Sequence, residues 1–253
     1  MITSSKQLTS YAKRVLRRAE RIVYATGHTV KCPYCGWEGW RFLSAGDVWK
    51  ANRLCPGCGS LERYRMLALV LERLLAGRHG ARVLEIAPRL CVGELCKQRG
   101  WDYLSSDLNS AHAMVHADLR AMPMPDDSFD ALVCFHVMEH IVDDRPAFSE
   151  IARLIRPDGF GLIFVPLGDG PTKEGAPESE WLQQYGQRDH VRIYGMDIVD
   201  RMTRSGLTVE VVDTHKYFAE TEQVRHGLRG DDRLLFVVRK AASQSSTATL
   251  LTH

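Results

Sequence analysis

Two cysteine knuckles stand 19 residues apart: Cys32-Pro33-Tyr34-Cys35-Gly36 and Cys55-Pro56-Gly57-Cys58-Gly59. A C-x2-C pair places two thiolates on one tight turn. The glycine after each pair lets backbone amides fold back towards sulfur. Two such turns close a tetrahedron around Zn²⁺. Four sulfur ligands leave no open position for a substrate, so Cys32, Cys35, Cys55 and Cys58 read as a structural zinc ribbon. His28 lies nearby and reads as a surface residue. The other cysteines (Cys91, Cys96, Cys134) sit in apolar surroundings, and seven is an odd total. That usage fits a reducing, cytoplasmic setting with a metal site better than a disulfide framework.

A second group of reactive types lies far downstream, in Gly186-Gln187-Arg188-Asp189-His190-Val191-Arg192-Ile193-Tyr194-Gly195. An imidazole titrates near neutrality, so His190 is a candidate general base. Arg192 could pair with a carboxylate or phosphate, Tyr194 could stack or hydrogen-bond, and Gln187 stands with them. The alternative is a hydrogen-bonded loop that caps a helix starting near Met196. His136 is a second candidate base, or else a satisfied core histidine. Glu139 and His140 read as structural.

The elements around these groups follow from periodicity. Residues 6–23 read as a basic amphipathic helix, with Tyr11, Val15, Ile22 and Val23 on one side. Leu61 to Leu75 reads as a helix that stops near Gly77. From Arg82 onward seven short apolar runs, several with helical patterns between them, predict an α/β sheet that is mostly parallel. The implied layout is a basic helix over 1–30, the ribbon over 31–60, a connecting helix over 61–80, the main domain over 81–240 and a frayed tail over 241–253. With 45% apolar and 25% charged residues, the composition is that of a globular chain. No apolar run nears the ~20 residues of a membrane span. The start lacks a secretory apolar core. Residues 1–75 carry 13 Lys/Arg against 5 Asp/Glu, and the remainder 20 against 26, so the net +2 hides a basic front.

Residues 81–166 resemble the class I S-adenosylmethionine-dependent methyltransferases of small molecules and lipids. The resemblance runs through Val83-Leu84-Glu85-Ile86, Asp107, Asp118-Leu119, the segment Met122 to Asp130, Val137-Met138-Glu139-His140-Ile141, and Glu150 to Gly159. It implies a Rossmann-like sheet of seven strands with helices on both faces, and S-adenosylmethionine held at the strand ends. By that resemblance Asp107 and Leu108 meet the ribose, Asp118 and Leu119 the adenine, Glu85 the methionine end, and Phe135 and His136 border the methyl group. The family's glycine-rich loop is replaced here by Ala87-Pro88-Arg89-Leu90. Ala87 and Arg89 are then the expected cofactor contacts of a variant loop. Residues 186–195 are similar, more loosely, to segments of methyltransferases that carry an N-terminal zinc ribbon.

No Asn/Asp-Pro-Pro-Tyr run follows the fourth strand, which argues against the common base amino-methyltransferases. The expected reaction is methyl transfer to a nitrogen or oxygen of a small molecule, with the ribbon helping to cover the site. An RNA methyltransferase that grips phosphates with its basic front is the second reading. A non-catalytic scaffold with a degenerate loop is the third. Neither the acceptor nor the oligomeric state is legible.

Overall fold

The structure is a computed structural model that describes residues 22–45, 50–230 and 233–242. The basic helix expected over 6–23 lies, but for its last two residues, outside them, as does nearly all of the tail. The chain divides into two compact units. One comprises 1–81, 88–103 and 212–235, the other 82–87, 104–211 and 236–253.

The first unit begins with the ribbon. Strands β1 (Val30–Lys31) and β2 (Glu38–Gly39) pair antiparallel, as do β3 (Leu43–Ala45) and β4 (Lys50–Leu54). Each knuckle closes with a glycine amide donating back to its first cysteine: Gly36 N–H to Cys32 O at 3.0 Å, and Gly59 N–H to Cys55 O at 2.8 Å. Helix α1 (Glu62–Leu74) follows where the periodicity predicts it. Its apolar stripe includes one misfit, Arg65, which is 0% exposed. The guanidinium lies 3.8 Å from the Phe42 ring centroid. It donates to five backbone carbonyls: Asn52 at 3.1 Å, Arg53 at 2.8 Å, Ser60 at 2.8 Å, His226 at 2.7 Å and Gly227 at 2.9 Å. Burial pulls its pKa down, while the acidic groups around it oppose that shift. The planar fork of five donors is what lets one side chain satisfy carbonyls in five directions. Gly227 has φ +57°, and a Cβ there would come within 2.7 Å of Phe42, so only glycine fits beneath the guanidinium.

Seven strands form one sheet. Its strands are β5 (Arg82–Ile86), β6 (Asp102–Asp107), β7 (Val115–His116), β8 (Phe129–Phe135), β9 (Ile155–Phe164), β12 (Leu207–Asp213) and β13 (Leu234–Lys240), all seven at or near the predicted runs. Two short strands, β10 (Lys173–Glu174) and β11 (Arg192–Ile193), form a separate antiparallel pair. Strand β8 is buried along its whole length and runs parallel to β5 and β9. That double burial explains its continuous apolar run. The sheet order is β12-β13-β9-β8-β5-β6-β7, with β13 antiparallel to β9. Order reverses between β5 and β8, so the crevice for a ligand opens at their carboxyl ends.

Helix α2 is Leu90–Arg99, α3 is Asp144–Leu154, α4 is Trp181–Tyr185 and α5 is Ile198–Arg204. Phe148 and Ile151 of α3 and Ile198 and Met202 of α5 join Leu84, Leu132 and Ile163 in the core on one side of the sheet. The turn expected before strand five is absorbed into β9. Phe129 pairs with Ile155 and Ala131 with Phe160, so residues 156–159 bulge out. Arg156 there meets Asp130 Oδ2 at 2.7 Å.

Arg65→Met should take a donor from five carbonyls in a buried place, of which Ser60 O keeps Cys55 N–H. Each buried polar group left unpaired costs about 1–3 kcal/mol, so a loss of at least ~3 kcal/mol is expected. A thermal melt of the full chain should show a drop of roughly 6 °C or more. Arg65→Lys should rescue little, because an ammonium cannot reach both ends of the fork.

Candidate functional site

The crevice at the switch point is built on two strained residues. Ala87, just past β5, has φ +54°, and His136, just past β8, has φ +55°. Left-handed backbone is unfavourable for a residue with a Cβ, by roughly 1–2 kcal/mol. Both are fixed by backbone bonds to the next strand: Ala87 N–H to Ser106 O at 2.9 Å, and His136 N–H to Phe164 O at 2.8 Å. Ala87 therefore adopts the backbone that a glycine would supply in the loop the sequence lacks. Arg89 is exposed and stands at the N-cap of α2.

Asp107 ends β6 half-buried. Its Oδ1 accepts from Asn109 N–H at 2.8 Å and Ser110 N–H at 2.7 Å. The carboxylate thus fixes its own turn. Leu108 beside it is 59% exposed. Asp118 is gripped by Arg120, whose Nη2 lies 2.6 Å from Oδ2. Those hydrogen bonds hold its carboxyl below the usual carboxylate range. An ionised carboxylate still keeps lone pairs for a further donor. Leu119 next to it is buried in the core. Glu85 is buried within β5. Phe135 stacks on Phe164 with centroids 5.1 Å apart.

Past β8 the chain makes a short 3-10 turn, Met138–His140. There His136 Nδ1 meets Glu139 Oε1 at 3.2 Å, with Glu139 1% exposed. His136 Nε2 is buried and has no hydrogen-bond partner. His190 is also buried, and its ring sits edge-on to His140 with centroids 4.9 Å apart. Burial pushes its pKa down, which favours the neutral imidazole. The downstream segment thus reaches the turn that follows β8. Val191 N–H donates to Glu139 O at 2.9 Å and locks the approach.

The neighbours of His190 do something other than expected. Arg192 is 4% exposed and lies 3.2 Å from Asp144 Oδ2 and 2.8 Å from Glu174 Oε2. It also donates to the carbonyls of Ile141 and Val142, both at 2.7 Å. Tyr194 is fully buried and donates to Asp144 Oδ2 at 2.8 Å. Burial pushes its phenol up. Neither side chain can anchor an acceptor, because every direction is already used. They pin the segment so that His190 faces Glu139. Gln187 is exposed on the loop before it. A cavity of about 620 Å³ lies beside this network, lined by Asp144, Asp197, Arg201 and Arg204 among others, but by none of the strand-end residues.

In the ribbon, the four sulfurs lie within 4.8 Å of one another. Cys32 to Cys58 and Cys35 to Cys55 are each 3.6 Å. Ligands ~2.3 Å from a tetrahedral zinc stand roughly 3.8 Å apart, so the set fits one ion. Hydrogen bonds from the other three thiols, Cys35 first, drive Cys32 down, while the same closeness pushes Cys55 up. A divalent cation relieves that opposition.

Residues 54–163 match a methyltransferase-domain family. A probable S-adenosylmethionine-dependent methyltransferase of Mycolicibacterium smegmatis is 41% identical over 51 residues, a fifth of each chain. A malonyl-[acyl-carrier protein] O-methyltransferase of Halorhodospira halophila is 27% identical over 218 residues, 74% of this chain and 72% of that one. Among solved structures, the YcgJ protein of Bacillus subtilis superposes with TM-score 0.50 at 16% identity, covering 71% of this chain and all of that one. A Burkholderia thailandensis 1,6-didemethyltoxoflavin-N1-methyltransferase, solved with its acceptor and S-adenosylhomocysteine, gives TM-score 0.50 at 16% identity over 69% of this chain and 76% of that one. Residues 54–163 thus form a methyltransferase domain, and the chain is similar to S-adenosylmethionine-dependent methyltransferases. Ala87-Pro88-Arg89-Leu90 stands where the resemblance leads one to expect a glycine-rich loop. Among the described residues no helix is long and apolar enough to cross a membrane.

The departure makes its own prediction. Ala87→Gly should leave stability unchanged or raise it by up to ~1 kcal/mol, because relief of the left-handed strain outweighs the added backbone entropy. Ala87→Val, branched at Cβ, should lower it by about 2 kcal/mol. Urea unfolding of both variants checks the pair, and a destabilised glycine variant would refute the strain.

Proposed function

We propose that the chain transfers a methyl group from S-adenosylmethionine to a nitrogen or oxygen of a small-molecule acceptor. The observation that carries this is the His136–Glu139 pair at the end of β8. Glu139 Oε1 faces Nδ1, which leaves Nε2 to face an acceptor. His136 takes the acceptor's proton as the methyl arrives, and its strained backbone aims the ring. His190, expected as the base, instead turns towards Glu139 and His140, so His136 has the stronger claim. Asp107 receives the ribose hydroxyls while its Oδ1 keeps the turn in place. Asp118 and Leu119 flank the adenine, and Glu85, Ala87 and Phe135 border the methionine end. The cofactor supplies a methyl on a sulfonium, already a good leaving group. The protein's share is therefore mostly proximity and orientation.

Two variants separate these roles. His136→Ala should lower kcat by ~10²-fold and leave S-adenosylhomocysteine affinity within a few-fold. Asp107→Asn keeps an oxygen for the turn but loses the charge. It should weaken S-adenosylhomocysteine by about 10- to 100-fold. Calorimetry reads the affinity, and transfer of labelled methyl into a fractionated cell extract reads the acceptor. Absence of any cofactor binding would leave only the scaffold reading.

One observation favours RNA as the acceptor. Tyr24 and Trp40 stack at 5.4 Å, Trp40 is 43% exposed, and Arg41 lies 4.2 Å from the Trp40 ring. Aromatic and guanidinium planes of this kind stack on bases. Label recovered in RNA instead of the small-molecule fraction would select that reading.

We also infer that Cys32, Cys35, Cys55 and Cys58 hold a structural zinc. Metal and fold are then linked. All four thiols should resist a disulfide reagent until a strong chelator is added, and then react together. Four thiols reactive from the start would exclude the ion.

A further inference from the structure

Outside the ribbon, one cluster in the described residues brings metal-ligating side chains together. Glu139, His140 and His190 each present a ligand atom within 4.8 Å of the other two. Two histidines and one carboxylate form a recurrent donor set for catalytic zinc and for non-haem iron, with positions left open. Proximity alone would not make this a site. The state of the individual atoms does.

Two of the three ligands hold a buried polar atom without a partner. Glu139 is 1% exposed and its Oε2 has no hydrogen bond; His190 is 4% exposed and its Nδ1 has none. Burying a polar atom unpaired costs free energy, and proteins rarely leave two such atoms side by side unless something binds them. Here an acceptor oxygen and a ring nitrogen converge.

The remaining atom of each ligand is held in the way a metal site requires. His140 Nδ1 lies 2.9 Å from the Asp189 carbonyl. A carbonyl only accepts, so the proton is on Nδ1 and Nε2 is the free lone pair. His190 has a hydrogen bond with the Tyr185 backbone, which leaves its unpartnered Nδ1 for a cation. Glu139 Oε1 is occupied by His136 at 3.2 Å, which turns Oε2 away from that ring. Such outer partners fix tautomer and orientation in known metal sites. The Arg192–Asp144–Tyr194 network locks the segment bearing His190, and the partly exposed His140 leaves a route from solvent.

We propose that Glu139, His140 and His190 bind a divalent first-row transition ion, with zinc the natural occupant. Imidazole donors favour zinc, copper, iron and nickel over magnesium or calcium. Three protein ligands leave one coordination position open. The site lies at the carboxyl end of β8, one residue pair from His136. A hydroxyl or carboxylate on the acceptor is the group it would hold. That last role rests on the methyltransferase reading of the crevice, whereas metal binding itself does not.

The test is metal content, which needs no acceptor. The full chain is equilibrated with micromolar Zn²⁺, desalted and analysed by plasma emission. His140→Ala combined with His190→Ala should hold one zinc equivalent fewer per chain than the wild type. Glu139→Gln preserves shape and drops the charge, and it should weaken the same equivalent by ~10²-fold or more. S-adenosylhomocysteine binding in each variant reports that the domain is folded and keeps the two proposals apart. Equal zinc in wild type and both variants, with cofactor binding retained, overturns the metal site and leaves methyl transfer untouched.

Discussion

Everything at the crevice depends on two chain reversals that take place without glycine. At the switch point the polypeptide must leave β5 and β8 abruptly, because any continuation of either strand would fill the cleft. Ala87 and His136 do this in left-handed backbone, each clamped by a hydrogen bond to the neighbouring strand. The clamps work because β6 and β9 are themselves held in the sheet. The strain is thus stored by the sheet and expressed at its edge, where it aims side chains. Were His136 a glycine, the turn would be easier and the imidazole absent. The strain is the cost of placing a side chain at that turn.

The first unit answers a different problem. Two short hairpins carry the four close sulfurs, and Arg65 ties β4 to two other segments. Arg65 is a charge at 0% exposure, an expensive placement. It is tolerated because five carbonyls from three chain segments, residues 52–53, Ser60 and 226–227, surround it. The Ser60 carbonyl accepts from Cys55 N–H as well, at 2.9 Å. Phe42 closes the remaining face. The desolvation of one cation and the needs of five acceptors offset each other, which is why these segments need no regular pairing among themselves at this point.

The sheet was legible because each of its seven strands is a short apolar run, and double burial makes such runs uninterrupted in β8. The convergence of four cysteines was legible from spacing alone. The two acids were expected through resemblance; Asp107 ends β6 and Asp118 lies two residues past β7. Arg192 and Tyr194 misled because charge and aromaticity in a loop suggest a binding surface. Nothing in the local pattern reveals that Asp144 and Glu174, from 18 to 50 residues away, neutralise and bury them. Arg65 carried a faint signal, a cation on the apolar stripe of α1. The position of Glu139 against His190 carried none, since it arises when β11 folds a distant loop onto the 3-10 turn.

That last juxtaposition gives the site its logic. Glu139 is the hub: Oε1 meets His136, its backbone carbonyl accepts from Val191, and Oε2 points at the His140–His190 side. A carboxylate buried to 1% exposure needs compensation from more than one neutral imidazole. The positive charges nearby, Arg192 and Arg201, are spent on Asp144 and Glu174. On the readings proposed above, an ion held by Glu139, His140 and His190, or an acceptor bound beside His136, would face the open side of that carboxylate.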